Sequence, residues 1–205
     1  MRKLVIVTLF LSLGVAHAQS RQEASAAYER GDYAKAMELY LPLAEAGDGN
    51  ALGNVGNMYA FGWGVPVDQA KAAEYWFKAA EKHVGTAMGN IANCYKAGTC
   101  GLKQDDALAA QWWKRAAEHR HAPSMLNLST IYMNGDGLER DRVKGLAWAS
   151  LAASNSASPQ ITEAATQQTK HIMSESTKEE IDAAIKYSNE LIALIDANVA
   201  MYKSQ

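Results

Sequence analysis

Three successive stretches of the chain carry apolar residues at offsets of three and four, and each stretch is cut once by a short glycine-bearing polar segment. In the first, Leu52, Val55, Gly56 and Tyr59 fall on one helical face. A glycine loop follows, and then a second periodic segment. The pattern predicts a helix of about three turns, a turn, and a helix of about four turns. The segment ALGNVGNMYAFGWGVPVDQAKAAEYWFKAAEKHVG from Ala51 is followed in register by AMGNIANCYKAGTCGLKQDDALAAQWWKRAAEHRH from Ala87 and SMLNLSTIYMNGDGLERDRVKGLAWASLAA from Ser124. Tyr59, Tyr95 and Tyr132 align, as do Gly64, Gly101 and Gly137, and Asp68, Asp105 and Asp141, which sets a period of 36 to 37 residues. A repeat of that length made of helical hairpins predicts an all-α solenoid, in which each unit buries its apolar face against the next.

The repeated positions have physical reasons. Gly56, Ala92 and Ser129 share one row, so a second helix is expected to cross close to the backbone there. The loops GWGVPVD, GTCGLKQD and GDGLERD end in an aspartate placed to accept hydrogen bonds from the first N–H groups of the next helix. In that helix the pairs Ala79-Ala80, Ala116-Ala117 and Ala152-Ala153 allow tight packing. Tyr75-Trp76, Trp112-Trp113 and Trp148 supply buried area.

These residues resemble the Sel-one-like repeat family, a relative of the tetratricopeptide class. The likeness runs from Gly31 to Ala153, with GDYAKAMELYLPLAEAG read as a short-looped half unit. The resemblance implies a right-handed α-solenoid that binds other proteins and has no chemistry built into the repeat. Two departures stand out. The family closes the second helix with glycine, as Gly47 does here, whereas His83 and Arg120 hold the equivalent places, so those turns are expected to be looser or differently wound. The loop GTCGL also has one residue more than GWGV.

Repetition stops after Ala153. Ser158-Pro159 reads as a cap followed by proline at the first helical position, opening a helix to about Met173. Ser176 to Glu179 has the form of a capping box, and the helix it opens carries Ile181, Ile185, Ser188, Ile192, Ile195, Val199 and Tyr202 as an apolar seam with Leu191 and Leu194 beside it. The expected role is a cap over the end of the solenoid. The alternative is pairing with a second copy or a partner helix, since seven-residue spacing is what paired helices use. The organisation read from sequence is a leader over 1–18, a half repeat over 19–49, repeats over 50–85, 86–122 and 123–157, and capping helices over 158–205.

The leader changes where such a module would act. Arg2 and Lys3 precede a short apolar run from Leu4 to Leu13 and an Ala16-His17-Ala18 cleavage site, and residue 19 is glutamine, not the cysteine of a lipid-anchored protein. The expectation is export to the periplasm or beyond, with cleavage near Ala18. Of the 20 basic residues, loss of Arg2 and Lys3 leaves 18 against 22 acidic ones, a net charge of −4 that argues against nucleic acid as a partner. In an oxidising compartment Cys94 and Cys100 are expected to form a local disulfide; the alternative is two thiols, with Cys94 filling the place of Met58 and Ile131.

Little in the chain suggests catalysis. His119 and His121 are two apart, not at the four-residue spacing that presents two metal ligands on one helical face. No Ser-x-x-Lys pair occurs, which removes support for the β-lactam chemistry described for some secreted members of the family the chain resembles. No metal or cofactor is expected. The rival to a binding module is a cell-wall or β-lactam hydrolase.

Candidate binding residues are asparagines on the first helices. Asn54, Asn90 and Asn127 align across three units and Asn57 and Asn93 across two, although asparagine is a poor helix former. Such amides either hydrogen-bond an extended peptide along the inner face or tie one repeat to the next. Phe61 and Trp63 break the polar character of the first loop, and Trp63 has no aromatic counterpart at Cys100 or Asp136. The residues expected to bind a partner are therefore Asn54, Asn57, Phe61, Trp63, Asn90 and Asn93. The partner is expected to be another protein, with the chain acting as an adaptor or as an immunity protein that neutralises a toxin.

Overall fold

A computed structural model describes residues 18–203. The export signal read over 1–18 lies outside the described residues except for Ala18. Among the described residues all regular structure is helical: α1 (18–29), α2 (Tyr33–Glu45), α3 (Gly49–Phe61), α4 (Gln69–Glu81), α5 (Gly85–Ala97), α6 (Asp106–Glu118), α7 (Ala122–Asn134), α8 (Arg142–Asn155), α9 (Pro159–Ser174) and α10 (Lys178–Lys203). The fold is the all-α solenoid class of helical hairpins expected from the repeat. It divides into two compact units, one ending at Lys82 and the other starting at His83.

In the first unit, α1 to α4, the helices α2, α3 and α4 each start on an aspartate. Asp32, Asp48 and Asp68 accept from the backbone N–H of Lys35, Ala51 and Lys71, caps of about 1 kcal/mol each. Arg21 of α1 forms an ion pair with the same Asp48. The small-residue row has its cause here: a Cβ on Gly56 would lie 2.6 Å from Trp76 Cδ1, so the indole lies directly on the α3 backbone. The loop after α3 docks on the start of α2, where a Cβ at Gly64 would meet the Tyr33 carbonyl at 2.5 Å.

The second unit, α5 to α10, repeats these devices. Asp105 and Asp141 cap α6 and α8, and Asp68, Asp105 and Asp141 also donate their own N–H to the carbonyls of Tyr59, Tyr95 and Tyr132, which closes each loop. Gly137 docks on the Asp106 carbonyl as Gly64 docks on Tyr33, whereas Gly101 has open space in front of it. There the loop is held instead by a Cys94–Cys100 disulfide, with Cα atoms 5.8 Å apart. The turns at His83 and Arg120 are not rewound. Their φ values of +62° and +61° match the conformation of Gly47 at +85°. At Arg120 the strain is offset because its N–H reaches Ala117 O and that of His121 reaches Ala116 O, closing the helix end.

Past the third repeat the pattern changes for a visible reason. The Trp76 and Trp113 position is Ala149 in α8, and α9 packs on α8 there, placing Ala165 in the core. Pro159 does open α9, but Ser158 makes no side-chain cap bond and its hydroxyl turns to Gln160. The capping box sits one residue later than the sequence reading. Thr177 and Glu180 exchange both bonds, Glu180 N–H to Thr177 Oγ1 and Thr177 N–H to Glu180 Oε2. The buried stripe of α10 is Ala184, Leu191 and Ile195; Leu191 and Ile195 pack in one cluster with Trp148 of α8, and Ala184 in another with Leu146, Ala147 and Ala149. Ile185 and Ile192 of the expected seam face outward, at 56% and 42% exposure, because the helix is rotated to bring the Leu191 edge down.

Candidate interaction surface

The asparagine row has a definite environment. Trp76 Nε1 donates to Asn57 Oδ1 at 3.0 Å and Trp113 Nε1 donates to Asn93 Oδ1 at 3.2 Å. Each amide oxygen thus anchors the indole that crosses its own helix, which is a hairpin role, distinct from both roles the sequence suggested. The third repeat supports the reading: where the tryptophan becomes Ala149, the asparagine becomes Thr130. There Gln168 of α9 donates to Ser129 Oγ and Thr130 Oγ1 at 2.9 and 3.3 Å. Asn54, Asn90 and Asn127, one turn back, are half-buried.

Phe61 and Trp63 belong to an aromatic cluster in the first unit. Trp63 stacks on Tyr33 at 5.3 Å and 11°, meets Tyr28 edge-on at 5.6 Å, and carries Phe61 at 4.7 Å on its outer side. Tyr28 in turn meets Tyr33 and Tyr40, and burial, then the neighbouring Tyr33 and Tyr40, push its phenol above the ordinary value. Trp63 is therefore a half-buried strut rather than a free anchor. Phe61, 61% exposed at the end of α3, is the outermost ring, with Val67 also open at 60%. The sequence reading did not include Tyr28, Tyr33 and Tyr40; the signal was present in three tyrosines within a segment treated only as a half unit.

Among the described residues the second unit carries several concavities, two of them bordered by α9. A wedge of about 500 Å³ between α9 and α10 is floored by Leu146 and Ser150 and walled by Met173, Ile181, Ile185 and Ser188. A polar cleft of about 700 Å³ between α7 and α9 is lined by Thr130, Asn134, Arg140, Gln168, His171 and Glu175. Among the described residues no three histidine, cysteine or acidic side chains converge as a metal site, and no helix is long and apolar enough to cross a membrane.

The Sel1 repeat pattern matches residues 24–48, 50–84, 85–121 and 122–156. Two solved structures are similar to the chain. One is c5321, a protective antigen present in uropathogenic Escherichia coli strains displaying an SLR fold, with a TM-score of 0.68 and 30% identity over 83% of this chain and 36% of that one. The other is a Sel1 repeat protein from Oxalobacter formigenes, with a TM-score of 0.62 and 25% identity over 65% of this chain and 55% of that one. The chain thus spans between about a third and about half of the proteins it matches. No curated protein matches it. Four consecutive matches cover more than half of the sequence, and their repeats indicate a protein–protein interaction module: the chain belongs to the Sel1 repeat family.

Proposed function

We propose that the protein is an exported, non-catalytic binding module of the bacterial envelope that engages another protein through the aromatic end of its first unit. The observation that carries this reading is Phe61, a large apolar ring held open to solvent on a rigid stack of Trp63 and Tyr33. Exposed aromatic anchors of this kind, pre-positioned so that little ordering entropy is lost on docking, dominate many interfaces. Asn54 and Asn90 are the remaining polar candidates on the first helices. Asn57 and Asn93 contribute indirectly, by fixing Trp76 and Trp113. Two forms of the module fit: an adaptor in envelope assembly, or an immunity protein that neutralises a toxin.

The leader supports export, and the family supports binding over chemistry. Affinity capture from an envelope extract with wild type and Phe61→Ala separates the possibilities. Because Phe61 is exposed, its truncation leaves folding intact; the expected result is at least a tenfold loss of capture, about 1.4 kcal/mol. A single stoichiometric partner bound tightly favours immunity, and several weak ones favour an adaptor. Unchanged capture by Phe61→Ala, with loss on Ile185→Lys, would move the site to α10, the helix that could also pair two copies. Turnover of a chromogenic β-lactam, abolished by one substitution, would overturn the non-catalytic reading.

A further inference from the structure

The turn between α6 and α7, His119–Arg120–His121, is where the end of α10 is fastened. Arg120 forms an ion pair with Asp196 of α10 and donates to Asn155 Oδ1 at the end of α8 at 3.0 Å. Tyr202 lies on the His83 ring at 3.7 Å and on the His119 ring at 5.1 Å, and the two imidazoles are parallel within 4° at 5.5 Å. His121 sits on the other side of the turn. Its Nδ1 is 2.8 Å from the fully buried Ser124 hydroxyl, and its ring lies so close to α5 that a Cβ on Gly89 would come within 2.6 Å.

The three imidazoles meet different surroundings. His119 Nδ1 donates to the Arg115 carbonyl at 2.9 Å, and its Nε2 is buried with no hydrogen-bond partner. A second proton there would have no acceptor. His83 is held below the ordinary imidazole value by burial first, then by His119 and Arg115. Burial holds His121 at about 4. The charged groups at the cluster are Arg115 and Arg120 from the α6 end and Asp196 from α10, with Lys82 next to His83 in the chain. Asp196 is already paired with Arg120, and Glu118 faces Tyr187. From α8 only the Asn155 amide reaches it, and Gly85–Ala92 of α5 carries no charge. The face of Tyr202 attracts one imidazolium. It does not compensate two of them stacked on each other beside Arg115.

We propose that His83 and His119 form an acid-sensitive latch: as neutral rings they hold Tyr202 and the last turns of α10 against the end of α6, and their protonation below neutral pH releases residues 196–203. The rest of α10 stays docked because Ala184 and Leu191 are buried against α8 and the core. Release uncovers the edge of the core that Val199 covers.

Backbone NMR of the full chain between about pH 8 and pH 5 tests this, since unperturbed histidine titrates within that span. The amides of residues 196–203 are expected to lose their helical shifts together, with at least a tenfold rise in the open population, while Leu191 keeps its own. Combining His83→Asn, which tolerates the left-handed turn, with His119→Phe, which keeps a ring under Tyr202, should shift the transition to lower pH or remove it. Tyr202→Ala should leave the segment open at pH 8. A wild-type C-terminus that stays helical down to pH 5, or an unchanged midpoint in the double variant, would overturn the latch.

Discussion

Replacing Asn57 with alanine separates a structural amide from a ligand-facing one. In the folded chain the Trp76 indole is 5% exposed and its N–H donates to Asn57 Oδ1 at 3.0 Å. Without that oxygen the donor is left inside, at a cost of about 1–2 kcal/mol. For a chain of this length each kcal/mol lowers Tm by about 2–4 °C, so Asn57→Ala should melt roughly 2–8 °C early. Trp76→Ala, which removes the ring as well, should cost about 3–5 kcal/mol. The informative comparison is Asn57→Ala in a Trp76→Phe background, where the indole donor is gone; there its cost should fall by at least half. Urea denaturation followed by near-ultraviolet circular dichroism gives all four corners of the cycle. An Asn57→Ala protein as stable as wild type, or a cost that is the same in both backgrounds, would refute the anchoring role and return the amide to the binding surface.

Ala116 has no exposed surface at the α6–α7 junction, so Ala116→Asp buries an unpaired carboxylate and should cost several kcal/mol, enough to abolish the cooperative melt of the second unit; a Tm within a degree of wild type would show that the repeat register is misdrawn. His121 binds no proton in the fold until about pH 4, against 6.5 for the free imidazole, so its contribution is complete above pH 6.5 and is lost as pH falls towards 4. That loss reaches about 3 kcal/mol. Urea titrations across this window should show it, and His121→Asn, which can still cap α7, should flatten it. Reducing the Cys94–Cys100 bond frees a short loop and should lower stability by about 2 kcal/mol on the chain-entropy estimate, read as a shift in urea midpoint with and without reductant.

What the sequence disclosed was whatever recurs. Tyr59, Tyr95 and Tyr132 and the capping aspartates are set by contacts made alike in each hairpin, so three copies expose them without coordinates. Conformation that depends on a particular neighbour was less legible. The turns at His83 and Arg120 were expected to be looser or differently wound, yet both keep a left-handed φ, and at Arg120 the hydrogen bonds that close the helix offset its cost of roughly 1 kcal/mol. The α10 seam held at Ile181, Ile195, Val199 and Tyr202 but not at Ile185 and Ile192, for a related reason. Ile185 and Ile192 lie on a good heptad, but the helix has several apolar edges, and which one turns inward is decided by the Trp148 surface it lands on.

The binding residues were the least legible, because an asparagine row looks the same whether it faces a ligand or an indole. The distinction was present in the chain all the same. Asn57 and Asn93 occur with Trp76 and Trp113, and both members of the pair are lost together at Thr130 and Ala149. A residue that faced a ligand would have no reason to follow the identity of a side chain about twenty positions away on the next helix. A residue that accepts its hydrogen bond must follow it. Within a repeat array such co-departure separates packing from recognition. By that test Phe61, which has no repeated partner and an open face, remains the strongest recognition candidate in the first unit.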